Sequence, residues 1–403
     1  MGSPVPHVST LGRFPSATAG RSLSTVPPFL PLFMYLDKLS LTNFKNYEDA
    51  LFTFSPQVNV LVGPNGSGKT NLLDAIYFLA LSKSAFQTLD ALSVTHDEDY
   101  FILDGIFVRP DADHDRTTQI TISLQRGQRK VILADKKPYE RLSEHIGRFP
   151  VVLMIPNDSD LVRGHSDERR QFVDAVLSQL DPEYLQDYLQ YQYVLKQRNS
   201  LLKLFADRSG RAVDHDLLDT YDEPLLYIGQ RIHDRRQRFV TEFLPDVQAH
   251  YTYLSDAREA INIVYDSDLG KMGFDDLFVQ NRSRDIAMQR TTMGVHRDDF
   301  EFLIDGMALK RFGSQGQQKT FVIALRLGQF DQLQAAKQTK PILLLDDIFD
   351  KLDDGRIAKL IQRITEGSFG QLFITDARPE RTGQLLANVP GDVRYYQMGQ
   401  TTR

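Results

Sequence analysis

Apolar and polar positions change period several times along the chain, and each change marks an element. Met34-Tyr35-Leu36-Asp37-Lys38-Leu39 alternates as a strand does, and Val58-Asn59-Val60-Leu61-Val62 is a short apolar run that stops at a glycine. The stretch Asn71-Leu72-Leu73-Asp74-Ala75-Ile76-Tyr77-Phe78-Leu79 reads as a helix. Pro341-Ile342-Leu343-Leu344-Leu345 is continuously apolar, as a parallel strand buried on both faces must be; 151–155 is another such run and 371–375 a further strand. Between them the period is helical. Ser166 is a good N-cap with Asp167 and Glu168 behind it, and Phe172, Val173, Val176, Leu177 and Leu180 recur at helical spacing until Asp181-Pro182 breaks the pattern. Apolar positions from Leu185 to Leu202 continue it, a polar joint lies near Arg208-Ser209-Gly210, and a second run extends from Leu217 to Leu244. At 1.5 Å per residue such arms reach on the order of 50 Å, which makes a short lobe and no long coiled coil. Phe300-Glu301-Phe302-Leu303-Ile304 with Asp305-Gly306 is a hairpin signal, and Phe321–Leu327 is helical.

These elements predict an α/β protein in four parts: a disordered extension over 1–33, one half of a head over 34–165, a helical insertion over 166–290, and the second half of the head over 291–403. The extension holds six of the chain's 18 prolines and no acid before Asp37, so no apolar face can form there. It has only Arg13 and Arg21 as cations, too few for a transit peptide with an amphipathic stripe, and Met34 is the expected start of the organised chain.

Composition narrows the chemistry. Among 403 residues there is no cysteine, which excludes disulfides, thiolate metal sites and cysteine nucleophiles. No apolar stretch approaches the 18 or so residues a membrane-spanning helix requires, so a cytoplasmic protein with no membrane partner is expected. With 47 Lys+Arg against 53 Asp+Glu the net charge is −6, so any binding to nucleic acid must come from a local basic surface. Candidates are Arg126, Arg129, Lys130, Lys136 and Lys137 in the first part, and Lys196, Arg198, Arg235, Arg236 and Arg238 on the helical part.

Gly63-Pro64-Asn65-Gly66-Ser67-Gly68-Lys69-Thr70 matches the phosphate-binding loop G-x-x-x-x-G-K-[ST], between an apolar strand and a helix as that loop requires. Its glycines let backbone N–H groups turn toward phosphate oxygens, and the helix N-terminus adds a positive dipole end. Lys69 is expected to reach the β- and γ-phosphates of ATP, and Thr70 to supply a hydroxyl to Mg²⁺. The 341–345 strand ends in Asp346-Asp347. Asp346 is the expected metal carboxylate, and Asp347, pointing the other way off the strand, the expected polariser of the attacking water. Phe312-Gly313-Ser314-Gln315-Gly316-Gln317-Gln318-Lys319-Thr320 opens a second phosphate-seeking helix with no strand-borne lysine of its own. This combination resembles ATP-binding-cassette proteins, in which such a turn (here Ser314, Gly316 and Gln317) closes on the γ-phosphate held by a second subunit.

These motifs, together with Gly164-His165-Ser166-Asp167-Glu168-Arg169-Arg170-Gln171-Phe172-Val173-Asp174, Lys196-Gln197-Arg198-Asn199 and His296-Arg297-Asp298-Asp299-Phe300, resemble the bacterial RecF family of recombination mediators from about Met34 to the C-terminus. The resemblance implies a P-loop NTPase head of ATP-binding-cassette and SMC type with an inserted helical lobe. It implies ATP-driven homodimerisation, binding to DNA single-strand/double-strand junctions, recombinase loading at stalled forks, and partners of the RecR type and the RecO type. Asp347 is one methylene shorter than the glutamate of broader cassette ATPases, Asp350 replaces the serine of a Ser-x-Leu-Asp loop that keeps Asp353, and Asp376 stands where many of them carry histidine. The short Asp347 side chain makes weak turnover the expectation, and the resemblance implies its stimulation by DNA. Pro156-Asn157-Asp158 occupies the place of their glutamine-bearing loop. The alternatives are another SMC-like ATPase acting as a nucleotide-gated DNA clamp, a non-enzymatic binding module, and a transporter's cassette subunit.

Overall fold

The computed structural model describes residues 33–111, 115–207, 214–256, 259–270 and 274–399. The expected disordered extension (residues 1–32) and the polar joint at 208–210 lie outside them. Two compact units are present, one of Met1–Pro156 with Leu333–Arg403 and one of Asn157–Gln332.

The first unit holds two sheets. One is parallel, in the order Val393–Gln397, Val58–Val62, Leu372–Asp376, Ile342–Leu345, Val151–Met154. All its strands except Val393–Gln397 are buried at every residue, which is why they read as mostly apolar runs with no alternation. The other sheet is antiparallel, running Tyr47–Thr53, Tyr35–Phe44, Tyr100–Arg109, Arg116–Gln125, Val131–Ala134, Lys137–Pro138. Helix Lys69–Leu81 packs onto it through Phe78, whose ring meets those of Phe44 and Phe101 edge-on at 6.0 and 5.4 Å. Gln371, fully buried, joins the two sheets: its amide accepts from Leu36 N (2.7 Å) and donates to Leu36 O and Ser55 O (both 2.8 Å). A buried amide with these partners stabilises one docking of the sheets over others.

The second unit combines helices Ser166–Leu180, Pro182–Asp207, His215–Ser255 and Phe274–Met288 with a three-stranded antiparallel sheet, Met307–Ala308, Asp299–Ile304, Ile261–Asp266. The hairpin turn has Asp305 and Gly306 at φ 48° and 77°, the left-handed pair that matches strand twist. Asp181 ends the first helix and caps the next by accepting from Glu183 N and Tyr184 N at 2.8 and 3.2 Å. One detail differs from the sequence reading: the N-cap is His165, whose backbone N–H donates to Glu168 at 2.7 Å, and Ser166 is already helical. Boundaries drawn at 165/166 and 290/291 fall inside this unit, because the inward faces of the sheet (Ile261, Ile263, Phe300, Phe302) share one core with Val173, Phe239 and Phe243 of the helices.

Candidate functional site

The phosphate loop leaves the buried strand Val58–Val62 and enters the helix at Lys69. Gly68 is its N-cap at φ 95°, and a Cβ there would come within 2.7 Å of Asn46 Nδ2 and 2.8 Å of Tyr47 Oη, so only glycine fits. Gly66 takes φ 81° and faces open space. At Gly63 a Cβ would meet the Met398 carbonyl oxygen at 2.7 Å. Pro64 and Asn65 form the exposed tip, and Ser67, behind them, donates its N–H to Pro64 O at 3.2 Å. The Ser67 hydroxyl is buried with no protein partner, and the helix has no acid of its own in its first turn to offset its positive end. The 5%-exposed Lys69 folds back on the loop, its Nζ donating to Gly63 O (2.8 Å) and Pro64 O (3.0 Å).

Asp346 stands at the end of the strand Ile342–Leu345 and is 4% exposed. Both its oxygens accept from Thr70 Oγ1 at 3.0 Å, and Oδ1 also accepts from Thr375 Oγ1 at 2.7 Å. Burial pushes its carboxyl above the ordinary range, while these hydroxyls and the Lys69 charge pull the other way. Asp347 leaves the strand in the left-handed region (φ 44°, ψ 33°) and gives its N–H to Thr375 Oγ1 at 2.9 Å. A non-glycine residue in that conformation is held there by its surroundings. Thr375, fully buried, therefore orients both carboxylate-bearing residues, and nothing in its own strand singles it out for that part. Tyr47 was missed as well: its hydroxyl donates to Gly68 O at 3.0 Å, and burial raises its pKa.

These residues fit a magnesium triphosphate: glycine-lined backbone, a buried hydroxyl and ammonium, and one hydroxyl–carboxylate pair for the metal. No cluster of three or more His, Cys, Asp or Glu suited to a metal exists among the described residues.

In the second unit the Ser314 turn opens the helix Gln315–Lys337, with Ser314 and Gln315 exposed and Gly316 and Gln317 partly so. Ser314 and Gln317 cap each other, Gln317 N donating to Ser314 Oγ (3.2 Å) and Ser314 N to Gln317 Oε1 (2.7 Å).

Other sequence expectations change. Arg198 and Arg236, proposed as DNA-facing, are 0% and 1% exposed. Arg198 pairs with Asp222 (2.5 Å) and Asp285 (2.7 Å), and Arg236 with Asp174 (2.7 Å) and Asp298 (3.2 Å). Arg235 is shared among Asp181, Glu183 and Asp187, and Lys130 pairs with Asp90 at 2.5 Å. Arg198 and Arg236 are thus neutralised inside the fold, out of reach of a phosphate backbone, while the partly exposed Arg235 and Lys130 have their charge offset by neighbouring carboxylates. The 164–174 and 296–300 stretches meet through the same kind of pairing, Arg169 bidentate to Asp299 at 2.7 and 2.8 Å. His296 is packed against Tyr191 (2.9 Å), and burial lowers its pKa to about 4. Asp158, in the stretch expected to replace the glutamine-bearing loop, lies bidentate against Arg326 (2.5 and 3.1 Å). Asp376, 2% exposed, accepts from Arg378 N (2.8 Å) and Thr382 Oγ1 (2.5 Å), shaping the turn after its strand. Asp353 caps the helix Asp354–Thr365 by accepting from Arg356 N at 3.0 Å, and the side chain of Asp350 lies outside what the structure describes.

The model of the RecF/RecN/SMC N terminal domain matches residues 35–391. The DNA replication and repair protein RecF of Flavobacterium johnsoniae is 45% identical over 353 residues, 88% of this chain and 97% of that protein. The chain belongs to the RecF family. A second family member, from Cytophaga hutchinsonii, is also 45% identical, over 90% of this chain and 94% of its own. A solved structure of the recombination mediator RecF with ATP in the RecFOR pathway is similar at 29% identity and TM-score 0.78, covering 87% of this chain and 94% of that one. An SMC head bound to the C-winged helix domain of ScpA shares the fold at 16% identity and TM-score 0.50. The P-loop head of ATP-binding-cassette and SMC type inferred from the motifs is thus the fold of this chain. None of its described helices is long and apolar enough to cross a membrane.

Proposed function

We propose that the chain is a DNA-binding ATPase of replication and recombinational repair whose nucleotide drives two copies together at single-strand/double-strand junctions and promotes recombinase loading. The observation that carries this reading is the Asp346 carboxylate, held by Thr70 and Thr375 directly beside the phosphate loop. In it, residues 63–70 cradle the triphosphate, Lys69 exchanges its two loop carbonyls for β- and γ-phosphate oxygens, and Thr70 and Asp346 hold Mg²⁺. Bound Mg²⁺-ATP supplies the electrophilic phosphorus and neutralises charge on its oxygens. Asp347 orients water, and Ser314, Gly316 and Gln317 of a second copy cap the γ-phosphate.

Slow turnover, with DNA as its stimulus, accords with the short Asp347 side chain and with Asp376, which is engaged in its own turn where a histidine would face phosphate. Exposed Arg126, Arg129, Lys136, Lys137, Lys196 and Arg238 remain as candidate DNA contacts, and partners of the RecR and RecO types follow from the family. Sedimentation with and without ATP and a gapped duplex, at two salt concentrations, tests the reading. ATP should convert the parent to a dimer whose DNA affinity falls steeply with salt, whereas Lys69→Ala stays monomeric. Identical sedimentation of parent and Lys69→Ala in ATP sinks it.

A further inference from the structure

The signature turn contains its own cap, but what orients that cap lies outside the motif. A glutamine side chain can rotate by half a turn and exchange its oxygen for its nitrogen, so the neighbour decides which end points where. In the second unit that neighbour is Glu259, whose Oε1 accepts from Gln317 Nε2 at 2.9 Å. An ionised carboxylate only accepts, so it turns the amide nitrogen toward itself and leaves Gln317 Oε1 to receive the Ser314 N–H at 2.7 Å. The Ser314 oxygen in turn accepts from Gln317 N at 3.2 Å, which fixes the oxygen at the helix start and leaves its own proton to be donated to another group.

Glu259 is itself held on both sides. Its other oxygen accepts from the Tyr251 hydroxyl at 3.3 Å. Tyr251 is 1% exposed, and its ring lies edge-on to Phe321, one helical turn beyond Gln317, at 6.3 Å. The adjacent Ala260 exchanges two hydrogen bonds with Asp305 across the hairpin turn, Ala260 N to Asp305 Oδ1 at 2.9 Å and Asp305 N to Ala260 O at 2.7 Å.

We infer that Glu259 is a positioning residue for the signature turn: through Gln317 it sets the direction in which Ser314 offers its hydroxyl to the nucleotide of a second copy. This inference rests on the proposal that the turn caps a triphosphate in trans. It adds a carboxylate 55 residues upstream of Ser314 that no phosphate-loop, metal-site or signature pattern contains.

The test compares the full chain with Glu259→Ala, Glu259→Gln and Ser314→Arg, reading ATP-dependent dimerisation by sedimentation, monomer affinity for ATP at low protein concentration, and melting temperature. Glu259→Ala should weaken dimerisation about tenfold with unchanged ATP affinity, the order expected from losing one hydrogen bond to a charged acceptor. Glu259→Gln can present either its oxygen or its nitrogen to Gln317, so it should restore dimerisation only in part, to between Glu259→Ala and the parent, a partial rescue that loss of folding would not allow. Dimerisation by Glu259→Ala at the parent's strength, with Ser314→Arg impaired, overturns the role of Glu259 and leaves the trans reading standing. So does a Glu259→Gln chain no better than Glu259→Ala. Parent-like dimerisation by Ser314→Arg overturns the trans reading, and the role of Glu259 with it.

Discussion

Replacing Thr375 with valine removes one oxygen and changes almost nothing else in shape. That hydroxyl is fully buried, donates to Asp346 Oδ1 at 2.7 Å and accepts the Asp347 N–H at 2.9 Å. The bond to the carboxylate contributes about 1.5–3 kcal/mol and the one from the amide about 1 kcal/mol. The added methyl returns about 0.8 kcal/mol by burial, which leaves a net loss of about 2–3 kcal/mol. For a unit of this size, each kcal/mol shifts the melting midpoint by about 2–4 °C, so the apo protein should melt about 5–10 °C lower. Function should suffer in a particular way. With Asp346 held by Thr70 alone and the left-handed Asp347 released, Mg²⁺-dependent ATP affinity should fall about tenfold or more, while Thr375→Ser stays close to the parent. Differential scanning calorimetry and a Mg²⁺ titration with a fluorescent ATP analogue measure both quantities. A Thr375→Val chain that melts within 1 °C of the parent and binds Mg²⁺-ATP as tightly would refute the assignment of Thr375 as the residue that orients the metal acid, since valine has no group able to replace either bond.

Two further outcomes follow from the same contacts. His145 and His296 are both lowered by burial to about 4 from an ordinary 6.5, so between those values the unfolded chain binds protons that the folded one does not. Stability should therefore be lost as pH falls from 6.5 toward 4, by up to about 1.4 kcal/mol per pH unit for each histidine; urea midpoints at pH 7 and pH 5 measure this, and an equal pH dependence in the double His→Gln variant refutes it. Arg198→Ala leaves the buried Asp285 carboxylate without its cation and Asp222 with Arg282 alone, and should destabilise the second unit by about 3 kcal/mol, whereas Lys196→Ala, at an exposed position two residues away, should leave the melting point unchanged and reduce the salt slope of DNA binding. Equal effects of the two substitutions on stability refute the reading of Arg198 as a core cation.

The parts of this protein that were legible beforehand are those whose chemistry is local. Gly66 and Gly68 are required by positive backbone angles in the loop itself, the apolar strands by burial on both faces, and the Asp305-Gly306 turn by strand twist. Such constraints are written in consecutive positions, so the chain alone determines them.

What only the tertiary structure decided is where charge is cancelled and what a polar side chain faces. Arg198, Arg236 and Lys196 look alike as letters, yet the first two lie inside the fold because their aspartates arrive from helices and turns 24 to 87 residues away, while Lys196 on the same helix as Arg198 faces solvent. Thr375 and Glu259 were invisible for the same reason: each acts on a motif from a strand or loop remote in sequence, and no periodicity records a partner that folding alone brings within 3 Å. Electrostatic and hydrogen-bonding roles depend on distance in space to within a few tenths of an ångström, and the linear order of residues carries no such distance.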